Sequence, residues 1–241
     1  MKTAIVTGAS RGIGAATAKL LAGQGYQVAV NYGKSREEAD KVVADIARHG
    51  GKAIAVQADM GVEDDVLRLF EVVSKELGPV KALVNNAAIN PSCLVEETDY
   101  AMLAAVFCVN VLGAIVACRE AVKIMKANGG GAIVNVSSEA ARFGGNKMSH
   151  YAASKAAINT FSIGFAREAA AHNIRVNIVS PGIIDTDAHA GATPERLAAL
   201  KSSLPTGRMG KPEEVAETIA WLLSGAASYV SGSVVSVAGA R

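Results

Sequence analysis

Seven short apolar runs, the first six each followed by a longer stretch of helical character, constrain this chain more than any other feature. The runs are 3–7 (TAIVT), 27–31 (QVAVN), 53–57 (AIAVQ), 80–85 (VKALVN), 131–137 (GAIVNVS), 174–180 (IRVNIVS) and 232–237 (GSVVSV). Helical stretches fall at 12–24, 36–49, 62–77, 99–127, 151–171 and 212–224. A strand that is apolar on both faces must be covered on both, and alternation with helices supplies that cover through right-handed crossovers. The pattern predicts an α/β fold: one Rossmann-type domain over residues 1–241, with a doubly wound parallel sheet of seven strands and helices on both faces. The irregular excursion at 182–211 follows the sixth strand, at the sheet edge where ligands bind in such folds, and reads as a substrate lid.

Composition narrows the class. Half of the residues are hydrophobic but only 5% are aromatic, and 24 are glycine, which suits closely packed helices and tight turns better than an aromatic-rich sandwich. The formal charge is +2 with the charges scattered, so neither nucleic acid nor a membrane surface is expected as a partner. Cys93, Cys108 and Cys118 form no CxxC and leave an odd count, which suggests no disulfide framework, no metal site and a reducing cytoplasm. The opening residues run straight into an apolar strand, leaving no removable leader in this reading. Residues 101–118 carry no charge over one bilayer-crossing length, yet Asn110 interrupts them. They read as a helix buried on most of its faces rather than a membrane span.

The first strand ends in Thr7-Gly8-Ala9-Ser10-Arg11-Gly12-Ile13-Gly14 and a helix begins at once. Glycines there allow positive φ and let backbone N–H groups approach a pyrophosphate at a helix N-terminus. The spacing is Gly-x-x-x-Gly-x-Gly, and a tight turn alone would also explain it; its position at the first strand-to-helix turn favours a dinucleotide. After the second strand Lys34 and Arg36 precede the first acid, Glu37, and the turn itself carries Arg11. An acid at that place holds the ribose of NAD, whereas basic residues accommodate the phosphate of NADP. NADP is therefore expected, with NAD as the alternative.

Tyr151 and Lys155 stand four residues apart, on one face of a helix. Lowering a phenol by about 2–3 units takes roughly 3–4 kcal/mol. A lysine cation about 4 Å away at an effective dielectric near 20 supplies about 4 kcal/mol. The pair can thus make an acid/base, although such pairs also arise by chance on helix surfaces. Ser138 closes the fifth strand, and Asn110 lies inside the long apolar helix.

Taken together, these motifs resemble the short-chain dehydrogenase/reductase family over essentially the whole chain. They arrive in family order: the glycine turn, Asp59, Asn85-Asn86-Ala87, Asn110, Ser138, Tyr151 with Lys155, and Pro181-Gly182 with Thr186. The resemblance implies that Tyr151 exchanges a proton with the substrate oxygen and that Ser138 hydrogen-bonds that oxygen. Lys155 would lower the tyrosine and bind the nicotinamide ribose, and Asn110 would hold a water that passes protons to Lys155. The implied cofactor contacts are Gly8, Ser10, Arg11, Gly12, Ile13, Gly14, Asn31, Lys34, Asp59, Asn86, Ala87, Ala88, Tyr151, Lys155, Pro181, Gly182, Ile184 and Thr186. One departure is Ala88, where the family usually has glycine, and a slightly shifted turn is expected from its methyl group.

The expected function is interconversion of a secondary alcohol and a ketone or aldehyde with NADP(H), on a small-molecule substrate. Bacterial glucose-dehydrogenase-like and 3-oxoacyl-carrier-protein reductases are the subgroups it resembles; the second is the alternative enzyme reading, weakened by the lack of a basic cluster at the pocket mouth. A dinucleotide-binding redox sensor without turnover is the alternative of another class. Glu139 and Lys147 flank the expected pocket, whereas His150 points away from Tyr151 by about 100° around a helix. The helices at 101–118 and 151–166 are too apolar for solvent, so a two-fold partner and a homotetramer are expected, with residues 221–241 at a second interface by resemblance.

Overall fold

In the computed structural model, residues 2–186, 191 and 193–240 are described. Seven parallel strands, β1 (Lys2–Val6), β2 (Tyr26–Tyr32), β3 (Lys52–Gln57), β4 (Val80–Asn85), β5 (Gly131–Val136), β6 (Ile174–Pro181) and β7 (Val234–Val237), lie in the order β3-β2-β1-β4-β5-β6-β7. The chain therefore reverses its winding between β1 and β4. That switch point opens a crevice at the carboxyl ends of the strands. The glycine turn leaves β1 there, and Asn85-Asn86-Ala87 leaves β4 beside it.

On one face lie α1 (Gly12–Gly23), α2 (Arg36–Arg48) and α9 (Pro212–Leu223), sealed by small side chains such as Ala18, Ala22, Val30 and Ala220. On the other lie α3 (Glu63–Leu77), α5 (Gly113–Ala127) and α7 (Ser149–Ala169), over Leu69, Phe70, Leu83, Met125 and Ile133. Small residues allow close approach. A Cβ on Gly113 would overlap the Met60 carbonyl oxygen, so α5 can sit where it does only with glycine at that position.

Three local features differ from the sequence pattern. The expected helix at 99–127 is α4 (Tyr100–Phe107), a π turn at Cys108–Leu112, and then α5. It is the one stretch among the described residues long and apolar enough to cross a membrane, and only 39% of its most apolar window is buried. The expectation of burial on most faces fails because the sheet and α7 cover one side only: Val106, Asn110 and Ala114 face inward, while Leu112 is 54% exposed. A short helix, α6 (Ala140–Phe143), follows β5, and α8 (Pro194–Ser202) occupies the excursion. The excursion closes at its neck, where Gly210 N–H donates to Ile183 O and Asp185 N–H to Gly210 O. Residues 187–190 and 192 of the expected lid lie outside the described residues.

Candidate active site

The glycine turn is built to present bare backbone. Gly8 and Gly12 have φ of +60° and +55°, the left-handed region that favours glycine. A Cβ on Gly14 would stand 2.5 Å from Gly8 O and 2.6 Å from Asn86 Nδ2, inside the hydrogen bond that those two atoms make. Thr7 Oγ1 accepts the Asn86 and Ala87 N–H groups, locking the β4 segment to the turn. No side chain caps α1, and no acid lies in its first turn. Its N–H groups face the crevice with their partial positive charge, a seat for a phosphate anion.

The other expected cofactor residues divide into open and internal ones. Arg11 and Lys34 are exposed and make no ion pair among the described residues, while Arg36 pairs with Asp40 at 3.5 Å. Asp59 is exposed beyond β3 and accepts the Gly61 N–H. Asn31, by contrast, is buried: its Oδ1 accepts the Gly8 N–H and its Nδ2 donates to Val56 O and Ala58 O. Its amide is spent on shaping the turn, so it reaches a cofactor only through Gly8. Ile184 is likewise buried in the core, and a Cβ on Gly182 would meet Ala238 at 2.8 Å. Thr186 faces Gly12, bringing the start of the excursion over the turn. Ser10 and Ile13 are half-buried in the turn, Pro181 is buried, and exposed Ala88 has no left-handed backbone that would require glycine.

Across the crevice, α7 brings Tyr151 and Lys155 against the end of β5. The Ser138 hydroxyl accepts the Ala140 N–H and stands close enough to the Tyr151 phenol to favour its ionised form. Lys155 is buried, with Nζ 5.7 Å from the centroid of the Tyr151 ring and 2.7 Å from Val136 O, to which it donates. An ammonium has three donors, and the described residues occupy one of them here. Burial draws the lysine down to about 8. The phenol is raised by burial, and Ser138 only partly offsets that. The expected lowering of Tyr151 by Lys155 is thus not what the protein's own groups produce: burial dominates, and the opposing contribution comes from Ser138.

Asn110, in the π turn, donates to Ser154 Oγ at 3.1 Å and to Ile89 O at 2.9 Å, and accepts the Ile89 N–H at 2.8 Å. Such turns often mark functional sites. It is joined to the residue before Lys155 and to the segment after β4, with both amide hydrogens donated and one bond accepted at its oxygen. Sequence reasoning gave Thr7 and Ser154 no role of their own and set His150 aside as pointing away from Tyr151. His150 donates its Nε2–H to Pro91 O at 2.8 Å, which pins the post-β4 segment to the first turn of α7. The Ser of Tyr151-Ala152-Ala153-Ser154 is the one signal that pointed to such a tie.

A family model described as Enoyl-(Acyl carrier protein) reductase matches residues 8–239. The chain belongs to the short-chain dehydrogenase/reductase family. This dehydrogenase/reductase is 48% identical to uncharacterized oxidoreductase YgfF of Escherichia coli (strain K12), over the full length of both chains. It is 40% identical to cis-4-hydroxycyclohexanecarboxylate dehydrogenase of Sinomonas cyclohexanicum, covering 99% of this chain and 95% of that one. Among solved structures, the angucycline C-6 ketoreductase LanV with bound NADP superposes with a TM-score of 0.93 at 33% identity, covering 99% of this chain and 94% of that one. The short-chain dehydrogenase/reductase described here is therefore an oxidoreductase.

Proposed function

We propose that this enzyme is an NADP(H)-dependent oxidoreductase that interconverts a secondary alcohol and a ketone or aldehyde, with Tyr151 as its general acid/base. The observation that carries this reading is the convergence of Ser138 on the Tyr151 phenol with the Lys155 cation lying over the same ring. The glycine turn would hold the pyrophosphate, with exposed Arg11 and Lys34 beside the adenosine phosphate. NADPH, when bound, supplies the hydride. Burial keeps the Tyr151 phenol protonated at neutral pH, the form that carbonyl reduction consumes. Ser138 holds the substrate oxygen, and its hydroxyl then steadies the phenolate left behind. Lys155, with donors to spare, binds the nicotinamide ribose and returns a proton by way of the Asn110 turn. The bound neighbour LanV and the absence of an acid between residues 28 and 36 support NADP over NAD.

Tyr151→Phe tests the assignment, because it deletes the transferred proton and keeps the ring. Turnover should fall by roughly 10²- to 10⁴-fold. NADPH affinity, followed by cofactor fluorescence, should stay nearly unchanged, whereas Lys155→Ala should weaken both. Equal losses of cofactor binding in the two variants would show that the roles are not separate.

A further inference from the structure

The segment that leaves β4 is a strap tied down at every second residue. The Ala87 N–H donates to Thr7 Oγ1 at 3.0 Å, and a Cβ on Gly8 would meet Ala87 Cα at 2.8 Å. Ile89 gives its N–H to Asn110 Oδ1 and accepts the Asn110 amide on its carbonyl. Pro91 O accepts the His150 Nε2–H at 2.8 Å, and the Cys93 N–H donates to Lys147 O at 3.0 Å. Ala88, Asn90 and Ser92, between these ties, are exposed. The strap thus starts against the glycine turn and ends on the segment that joins Ser138 to Tyr151. Its two middle anchors stand on either side of the tyrosine: His150 precedes Tyr151 in the chain, and Asn110 donates to Ser154, whose hydroxyl donates to Tyr151 O at 2.7 Å.

Two of these ties are locally unfavourable. Lys147 stands at φ +59°, in the left-handed region that favours glycine. His150 is 7% exposed, and its Nδ1 is buried with no hydrogen-bond partner among the described residues. A buried nitrogen left unpaired is destabilising, and an apolar ring of similar size would avoid it. What the imidazole supplies in its place is the one donor that Pro91 O has among the described residues, midway between the anchors at Ile89 and Cys93. Strained and incompletely paired groups gather where a position has to be held for function. Resting on the carbonyl-reductase reading above, we infer that His150 is a positioning residue for the substrate: through Pro91 it fixes residues 88–92 as a wall that holds the carbonyl compound beside Tyr151. It acts through the strap and takes no part in the proton transfer.

The test compares wild type with His150→Phe, His150→Asn and His150→Gln in the NADPH-dependent reduction of cyclohexanone and its 2-, 3- and 4-methyl derivatives. Phe fills the space without a donor. Asn places its amide level with Nδ1, short of Pro91, whereas the amide of Gln reaches the place of Nε2 and can donate to Pro91 O. The ketone KM should rise by roughly 3- to 10-fold in His150→Phe and His150→Asn, the worth of one hydrogen bond, and stay near wild type in His150→Gln. NADPH affinity and the pH profile of kcat should not move. Tm of His150→Phe should be no lower than that of wild type, since the unpaired nitrogen is gone. Amide exchange over residues 88–93 should quicken in the Phe and Asn variants alone, which locates the effect in the strap. NADPH binding shows that each variant is folded, and the Gln–Asn pair carries the same comparison if His150→Phe is not. Equal KM values in the Gln and Asn variants, or a KM rise in His150→Phe matched by a fall in Tm, overturns the inference and leaves carbonyl reduction intact. Failure of wild type on every ketone overturns both.

Discussion

Asn135 Nδ2 donates to Ser162 Oγ at 2.7 Å in a fully buried contact that joins β5, which leads to Ser138, to α7, which carries Tyr151 and Lys155. Asn85 extends the chain by donating to Asn135 Oδ1 at 2.8 Å, and Ser162 donates onward to Ile158 O at 2.6 Å. Ser137 Oγ adds a second tie from the end of β5 to Lys155 O at 3.3 Å. The two halves of the candidate site are thus held in register by polar groups inside an otherwise apolar interface.

Ser162→Ala should cost about 1–3 kcal/mol, since it leaves the Asn135 amide unpaired out of reach of water. Urea unfolding measures this, and an unchanged midpoint would mean that the contact does not hold the helix.

Lys155 gives a pH prediction of definite sign. Its value falls from 10.5 to about 8 on burial. Between those two values the unfolded chain binds more protons than the folded one, so this group's contribution to stability rises with pH through that window. Below pH 8 the buried charge carries its full penalty, about 3 kcal/mol from that shift. Lys155→Met removes it and forfeits the bond to Val136 O, worth about 1 kcal/mol. At pH 7 the variant should therefore be more stable by about 1–2 kcal/mol, raising Tm by a few degrees, while losing turnover. A lower Tm at pH 7 would show that the lysine is not strained by its burial.

Arg11 and Lys34 set the expected cofactor preference. Replacing both by Ala should cut NADPH affinity by roughly 10-fold or more and spare NADH, with the wild-type preference shrinking as salt rises. Equal losses for both cofactors in titrations would reduce the two residues to ordinary surface charges.

The exposed apolar side chains of the half-covered helical stretch and of α7, Phe107, Leu112 and Ile163, together with Trp221, Tyr229 and Val234 near the C-terminus, support the proposed homotetramer with two interfaces. Light scattering should give four times the chain mass at micromolar concentration. Leu112→Lys should break one interface and leave dimers, and a monomeric wild type would sink the proposal.

The alternation of apolar strands and helices determined the sheet, and with it the crevice beyond β1 and β4, because periodicity is local and a both-faces-apolar strand has few ways to be covered. The glycine turn, Ser138, Tyr151 and Lys155 were legible for the same reason: each lies at a strand end or on one helix face. Only the tertiary structure decided where those groups point. It put the Lys155 cation over the tyrosine ring, spent Asn31 beneath the turn, broke the long helix with a π turn at Asn110, and brought Glu139 to Ser236. These outcomes depend on strand order and on the packing of residues distant in the chain, and the energy of a buried polar group is set by the one or two partners found there, which no spacing along the sequence records.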